Sequence, residues 1–430
     1  MDSQVKHLLS LRAIRERAKT VGEAAKSGKL THFDLHEDRL DDVVDFVASV
    51  IKRDFGPDEF DKIPPHGRWQ HFEVGKIPRI ANITDVWKKE GCDDLELTRR
   101  LIDLFFVSVL LDAGAGHHWR YIETETDQTY ERSEGIAVAS FHMFKSLAFT
   151  AAKSEKVPVV DGKGLEALTT DALIAGFQVS ADNPMLGVES RATLLRSLGQ
   201  SLLANSDIFG VNGRPGNLVD YMLKSAGNSN SLDILVFWDV LQSLLIPIWP
   251  KDRTTIGEQP IGDAWPLSTL RNWASSSNST NNGDFIQPFH KLTQWLTYSL
   301  MVPFQRVLGM EWINSESLTA LAEYRNGGLF VDFGVLSLKQ EALDRGRKAS
   351  GGDLPLFDAG DDVIAEWRAM TVVLVDILHQ MISSSKDGIP LTLAQLLEAG
   401  TWKSGREIAA QRRPDTKSSP ILIKSDGTVF

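Results

Sequence analysis

Carboxylates beside glycines or inside apolar runs are the side chains of this sequence best suited to acid–base chemistry. Asp332 stands inside the apolar run FVDFG at 330–334, where burial raises the pKa of a carboxyl group and makes an unused charge unfavourable. We therefore expect Asp332 to act as a catalytic acid–base or to stabilise a cation. The alternative interpretation is that Asp332 forms a structural salt bridge with Arg325. Glu134, beside Gly135, is placed to contact a polar ligand, and Glu189, two residues after Gly187, is expected in a buried polar role.

The stretch DAGAGHHWRY at 112–121 interrupts an apolar helix with glycines and then presents polar and aromatic side chains. Glycine permits a turn and lets a ligand approach the backbone closely. Trp119 and Arg120 are suited to stack on and anchor a planar ligand. The adjacent His117 and His118 would point in different directions on a regular element, which disfavours a shared metal. The alternative is a helix C-terminal turn whose aspartate pairs with an arginine.

Further basic and aromatic residues stand in proline- and glycine-rich connectors or on apolar helices. The connector at 64–73 is unusually aromatic and basic, and loops with such content often carry function. Ser133 is the expected N-cap of the helix that carries Glu134. The residues expected to contact a ligand are Trp69, His71, Asp112, His118, Trp119, Arg120, Arg191, Lys291 and Arg325.

The overall composition excludes several classes of protein. The 430 residues carry a net charge of −11, which argues against a nucleic-acid partner because phosphate backbones need a basic face. Cys92 is the only cysteine, so neither an intrachain disulfide nor a cysteine zinc site is expected. No apolar run reaches membrane-spanning length and the first residues are too charged for a secretory signal, which predicts a cytoplasmic protein without a membrane partner. P-loop, GxGxxG, HExxH and GxSxG motifs do not occur.

Apolar periodicity predicts an all-α fold with a few short strands in one large domain, 1–430. A strand is expected at 324–334, an exposed insertion loop at 272–285 and a docked tail at 418–430. The absence of βαβ alternation disfavours a doubly wound nucleotide-binding fold. Helices are expected at 4–28, 94–112, 133–152, 163–175, 187–205, 232–248, 286–308, 360–383 and 392–402.

Several long motifs together resemble the uracil catabolism protein four family, also called uracil-regulated proteins. They are LLDAGAGHHWRY, RSEGIAVASF, NPMLGVESRATLLRSLG, NGRPGNLVDYM, PFHKLTQWLTYSL, YRNGGLFVDFGVL and SDGTVF, and they span nearly the whole chain. The family usually has proline after Gly116, where this chain has His117, so no required role is assigned to His117. A distant similarity to the queuosine salvage N-glycosidases implies a helical architecture like that of DNA glycosylases.

The resemblance implies a place in pyrimidine degradation, where ring opening of a uracil ribonucleotide yields a ribosylurea. The expected activity is hydrolysis of the N-glycosidic bond of ribosylurea or its 5-phosphate, a small nucleotide-derived substrate, with no metal or cofactor. Asp332 would stabilise the oxocarbenium-like state or act as the base, with Glu134 or Glu189 as helpers. The residues expected to hold the ribose or phosphate are Arg120, Arg191, Lys291 and Arg325. The carboxylate of Phe430 is expected to reach the site through the docked tail.

Two other functions are compatible with the sequence. One is a hydrolase of C–N bonds in an opened pyrimidine, assisted by a metal at His71, His117 or His118. The other is a non-catalytic protein that shelters the ring-opened product for a partner enzyme, and it predicts binding without turnover.

Overall fold

A computed structural model of the chain describes residues 2–57, 59–112, 114, 116, 118–250, 253–274, 282–384 and 388–424. Helices account for 62% of the structure, which confirms the predicted all-α class. The α-helices are α1 Ser3–Leu8, α2 Leu11–Lys26, α3 Leu40–Phe55, α4 Arg68–Phe72, α5 Arg79–Lys89, α6 Asp94–Leu110, α7 Arg132–Lys145, α8 Gly162–Glu166, α9 Thr170–Gly176, α10 Val188–Ala204, α11 Ser206–Phe209, α12 Leu218–Ala226, α13 Ile234–Leu245, α14 Ser268–Ala274, α15 Lys291–Leu308, α16 Tyr324–Asp332, α17 Gln340–Ser350, α18 Asp362–Ser384, α19 Leu393–Gln395 and α20 Trp402–Arg412.

Short strands join the helices in two-stranded pairs. Pairing is antiparallel for β1–β10, β2–β3, β5–β6 and β7–β8 and parallel for β4–β9 and β11–β12. The strands are β1 Phe33–Leu35, β2 Tyr121–Glu123, β3 Gln128–Tyr130, β4 Ser231–Asp233, β5 Thr255–Ile256, β6 Gln259–Pro260, β7 Ala264–Pro266, β8 Ile286–Pro288, β9 Glu311–Ile313, β10 Leu336–Leu338, β11 Leu356–Asp358 and β12 Leu422–Lys424.

The centre of the molecule is formed by α6 packed against α15. Every residue of α6 from 100 to 110 is buried, as is every residue of α15 from 292 to 304. Helices that are apolar on all sides belong in a protein core. The C-terminal end of α6 and the N-terminal end of α15 both reach the cavity described below, so the most rigid part of the fold positions the site.

The strand predicted at 324–334 is wrong, because α16 occupies this segment. The carboxylate of Glu323 caps the helix by accepting two backbone N–H groups of its first turn at 2.7 and 2.6 Å. A Cβ at Gly327 would lie 2.8 Å from Nε1 of Trp367, so the glycine allows α16 to pack closely against α18. Periodicity alone does not separate a short buried helix from a strand, and this is the reason for the error.

The helix predicted at 392–402 continues to residue 412 through a π-helical segment. This segment, Leu396–Thr401, joins α19 to α20. It carries Glu398, whose Oε2 lies 2.7 Å from Nδ1 of His66, and it leads into Trp402. Both His66 and Trp402 line the cavity, as is frequent for residues near π-helical turns.

The later part of the chain packs onto α16 and β11. Residues 418–421 are mostly buried, and β12 then pairs with β11. The remainder of the predicted docked tail, 425–430, lies outside the described residues, as does Phe430. Most of the predicted insertion loop, 275–281, also lies outside them, whereas α14 extends through Ala274 and a helical turn begins at 282. No helix in the described ranges is long and apolar enough to cross a bilayer.

Candidate functional site

Several helix ends meet at a cavity of about 370 Å³, within the range of about 300–1,000 Å³ that small-molecule sites occupy. The N-terminal ends of α7, α15 and α16 reach it, and α4 and α20 contribute further lining. Four residues predicted to contact a ligand line it together: His71, Asp112, Lys291 and Arg325. The sequence did not single out the other polar and aromatic lining residues as ligand contacts: His66, Arg132, Ser133, Trp295, Glu323, Tyr324, Trp402, Ser418 and Ser419.

Asp112 follows α6 at the point where the glycine-rich stretch begins. Nη1 of Arg68 donates to Oδ2 of Asp112 at 2.7 Å. The same buried guanidinium donates to the hydroxyl and the carbonyl of Ser108 at 2.8 and 3.2 Å. Arg68 therefore compensates the charge of Asp112 and fixes its orientation in the cavity.

Lys291 and Glu323 stand at the N-terminal ends of α15 and α16. Burial lowers the pKa of Lys291, against the opposing charges of Asp112 and Glu323. Burial raises the pKa of Glu323, although two backbone N–H groups bond its carboxylate. Both shifts favour the uncharged form of the side chain and bring its pKa closer to 7. A pKa near 7 favours proton transfer at neutral pH.

Two histidines and two tryptophans form one side of the cavity. The ring centroids of His66 and His71 lie 4.7 and 5.6 Å from that of Trp295 and 6.1 and 5.4 Å from that of Trp402. Nδ1 of His71 is buried and has no hydrogen-bond partner in the described part of the chain. Burial, reinforced by the positive charge of Arg68, lowers the pKa of His71 to about 4. This imidazole is therefore neutral near pH 7.

Arginine and serine side chains line another part of the cavity. Arg132 and Ser133 begin α7, Arg325 lies in the first turn of α16 and Ser419 comes from the segment before β12. Ser133 is not the N-cap that the sequence suggests, because Glu131 occupies that position and makes no side-chain capping bond.

The predicted catalytic residues Asp332 and Glu189 do not line the cavity. Asp332 lies at the end of α16, while the beginning of that helix faces the cavity. Its two carboxylate oxygens accept from Nη1 and Nη2 of Arg413 at 2.7 and 2.6 Å, so its partner is not Arg325. Glu189 is exposed on α10 and pairs with Arg196 at 3.1 Å. Neither carboxylate is placed to touch a ligand in this cavity.

Glu134 lies next to the cavity lining. Its Oε1 accepts from Nη1 of Arg406 at 2.5 Å, and the Arg406 guanidinium lies 4.7 Å from the ring centroid of Trp402. Burial favours the neutral form, but the charge and hydrogen bond of Arg406 together with smaller contributions outweigh it and hold the pKa of Glu134 below its ordinary value. Glu134 is placed to position Trp402 rather than to touch a ligand.

Arg191 does not line the cavity but hydrogen-bonds the backbone of the glycine-rich stretch. It is fully buried, and burial lowers its pKa to about 10. Its Nε donates to the carbonyl of Leu111 at 2.9 Å and its Nη2 to that of Gly114 at 3.1 Å. Arg191 thus holds the backbone on both sides of Asp112, and Gly114 itself lines the cavity.

The remaining predicted contacts lie away from the cavity. Trp119 is fully buried and its indole N–H donates to a backbone carbonyl at 2.9 Å. Arg120 is partly exposed and pairs with a glutamate at 2.9 Å. His118 is exposed, and the indole N–H of Trp69 donates to a glutamate at 2.9 Å.

The described residues contain one group suited to hold a metal ion, and it does not line the cavity. Ligand atoms of Glu123, Glu125 and His142 lie within 4.8 Å of one another. Glu123 already accepts from Nε and Nη2 of Arg79 at 2.7 and 2.5 Å, so an ion pair compensates its charge. Among the histidines considered for metal assistance, His71 and His118 belong to no such group, and residue 117 lies outside the described ranges.

Comparison with known proteins identifies relatives along the entire chain. A family model described as "Protein of unknown function (DUF1688)" matches residues 7–430. Protein urg3 of Schizosaccharomyces pombe is 49% identical over 429 residues, which cover 99% of each chain. Uracil catabolism protein 4 of Lachancea kluyveri is 44% identical over 444 residues, which cover 100% of each chain. The family resemblance inferred from the motifs is confirmed.

Proposed function

Because the chain belongs to the DUF1688 family and matches Uracil catabolism protein 4 from end to end, we propose that it acts in uracil catabolism as an N-ribosyl hydrolase. The substrate is ribosylurea or its 5-phosphate, and the products are urea and the ribose or ribose phosphate. One observation carries the proposal: Asp112, Lys291 and Glu323 line a single cavity, and each stands in a different electrostatic environment.

N-glycosidic hydrolysis requires the groups that this cavity brings together. The transition state resembles an oxocarbenium ion, which a nearby carboxylate stabilises, and the departing nitrogen needs a proton. Asp112, held by Arg68, is the carboxylate that stabilises the cation and accepts a proton from the attacking water. Glu323, whose pKa is raised, is the acid that protonates the leaving urea.

The proton and bond changes balance in this scheme. The bond between ribosyl C1 and the urea nitrogen breaks, and the water oxygen bonds to C1. Glu323 loses its proton to urea, and Asp112 gains one from water. Transfer of that proton through solvent restores both side chains. Lys291 donates hydrogen bonds to the sugar or the urea oxygen, and the two tryptophans keep bulk water away from the reacting atoms.

The decisive experiment is incubation of the purified protein with ribosylurea and with its 5-phosphate, in the presence of EDTA, with assays of urea and reducing sugar. We expect equal amounts of both products from at least one substrate. Release that EDTA abolishes would indicate a metal-assisted hydrolase instead. Binding measured by calorimetry without any release would overturn the hydrolase and favour a carrier of the ring-opened product.

A further inference from the structure

Cationic side chains outnumber available anionic partners in the cavity. Arg132 and Arg325 line it with guanidinium groups that form no ion pair with a described residue, whereas burial lowers the pKa of Lys291. Of the two lining carboxylates, Asp112 is already paired with an arginine and Glu323 is shifted towards its neutral form. The cavity is thus locally positive in a chain whose net charge is −11. Such a local field attracts an anionic ligand.

Arg132 lies within electrostatic range of Arg325. Arg325 is 5% exposed, and its Nη1 donates to the carbonyl of Lys417 at 3.0 Å. Burial lowers the pKa of Arg132, and the positive charge of Arg325 lowers it further. Arg132 also has a φ of 54°, an unfavourable left-handed conformation for a long side chain. Two partly buried guanidinium groups are stabilised when an anion lies between them.

The N-terminal end of α7 lies at the part of the cavity that Arg132 and Arg325 line. Its N-cap residue, Glu131, makes no side-chain capping bond and pairs instead with Arg120 at 2.9 Å. A helix N-terminus carries partial positive charge and offers backbone N–H groups to an anion. Arg132 and Ser133 are the first two residues of this 14-residue helix and both line the cavity.

The hydroxyl group of Ser419 independently indicates a ligand, because it lacks a hydrogen-bond partner among the described residues. The residue is 9% exposed, and its Oγ is buried with no hydrogen-bond partner among the described residues. An unpaired buried hydroxyl is unfavourable unless a ligand completes its hydrogen bond. Ser419 lines the cavity together with the two arginines.

From these observations we propose that Arg132, Arg325 and Ser419 form a subsite for a phosphate monoester, so that the substrate is ribosylurea 5-phosphate rather than ribosylurea. This choice of substrate rests on the hydrolase proposed above. A phosphate monoester matches the subsite because it carries nearly two negative charges and three acceptor oxygens. Two guanidinium groups, one hydroxyl and the N–H groups of α7 are its natural donors.

Calorimetric titration of the full chain with ribose 5-phosphate, ribose and malonate tests the subsite. We expect ribose 5-phosphate to bind at least 100-fold more tightly than either of the others. Arg132→Gln and Arg325→Gln should each weaken ribose 5-phosphate at least tenfold without changing the affinity for ribose, and Ser419→Ala should weaken it several-fold. Arg39→Gln, at an exposed arginine outside the cavity, should leave both affinities unchanged.

The same variants separate failure of the subsite from failure of the hydrolase. Equal affinities for ribose and ribose 5-phosphate, malonate binding as tight as the phosphate, or full affinity in folded Arg132→Gln would each overturn the subsite. Arginine-dependent binding of ribose 5-phosphate without urea release from either ribosylurea substrate would keep the subsite and remove the hydrolase. Urea release at equal kcat/KM from both substrates would keep the hydrolase and remove the phosphate subsite. Ser419→Ala keeps the test decisive if an arginine variant fails to fold.

Discussion

At the scale of single residues, the two carboxylates of the cavity differ in the groups that compensate their negative charge. Asp112 faces a guanidinium at 2.7 Å, whereas Glu323 is bonded by backbone N–H groups and is driven by burial towards its protonated form. Two carboxylates in unlike surroundings are able to divide the roles of base and acid. The proposed hydrolysis depends on this difference rather than on the number of acidic groups.

Replacement of Asp112 by Asn should remove the cation-stabilising charge. We expect kcat for urea release to fall about 100-fold or more, since positioned acid–base groups contribute roughly 10²–10⁴-fold. The variant also leaves Arg68 without its charged partner, so far-UV circular dichroism and a melting curve must show that it is folded. Glu189→Gln, at an exposed position, is the matched control and should retain full activity. Wild-type kcat in folded Asp112→Asn would exclude this role.

His71 should make the protein less stable in acid. Its pKa is about 4 in the folded chain against 6.5 ordinarily, so the unfolded chain binds the proton more tightly. Stability therefore falls as the pH drops from about 6.5 to about 4, and the loss is about 3 kcal/mol. His71→Phe should remove this component. Urea denaturation at several pH values measures it, and an identical pH dependence in the variant would contradict the prediction.

At the scale of elements, the cavity depends on the close approach of α16 and α20. A Cβ at Gly405 of α20 would clash with the carbonyl oxygen of Arg325 and would lie 2.8 Å from its carbonyl carbon. The missing side chain therefore lets Trp402 and Arg325 reach the same cavity from two helices. Both helices are further tied by Arg413, which bonds Asp332 and the carbonyl of Ser418.

Gly405→Ala should push the two helices apart. Overpacking of this kind costs about 1–3 kcal/mol, and we expect the midpoint of chemical denaturation to fall accordingly. Gly352→Ala is the matched control, because the nearest neighbour of a Cβ there is Ser350 Oγ at 4.0 Å. Equal denaturation midpoints for the two variants would show that the helix contact tolerates a side chain.

Asp332→Asn should act through the segment at 418–424 and not through the chemical step. The change leaves Arg413 without its charged partner, and because this pair is part-buried the loss should cost less than the roughly 3–5 kcal/mol of a fully buried pair. Since Nε of Arg413 also holds the carbonyl of Ser418 at 2.8 Å, KM should rise. We expect kcat to change less than tenfold. A 100-fold loss of kcat at constant KM would instead restore Asp332 as a catalytic residue.

The sequence predicts those parts of the fold that have strong local signals. The helices around α6 and α15 follow from long apolar segments, and Asp112 was identified because it borders a glycine-rich break. Glu323 and Ser419 were missed because their significance comes from burial and from partners far away in the sequence. Asp332 was assigned to a strand rather than to the end of α16 because tertiary packing decides between strand and helix for a short apolar run.

At the scale of the whole molecule, one apolar cluster connects buried residues from Leu11 to Ile421. A second, small cluster holds Val5, Leu8, Ile261, Ala264 and Ile286. The extent of the main cluster favours unfolding as one unit, although chains of this length often unfold through intermediates. We expect coincident transitions from tryptophan fluorescence and far-UV circular dichroism in urea. Two separated transitions, or a stable fragment after limited proteolysis, would contradict the predicted single domain.

The cavity takes its lining from positions between 66 and 423, with Ser419 near one end of that span and His66 at the other. During synthesis on the ribosome, a growing chain therefore has no complete binding site until residue 423 has emerged. Substrate is unable to assist the early stages of folding, and the core of α6 and α15 must form without it. Substrate binds only chains whose cavity is complete. It should therefore protect those chains from degradation and leave chains that stop before residue 419 unprotected.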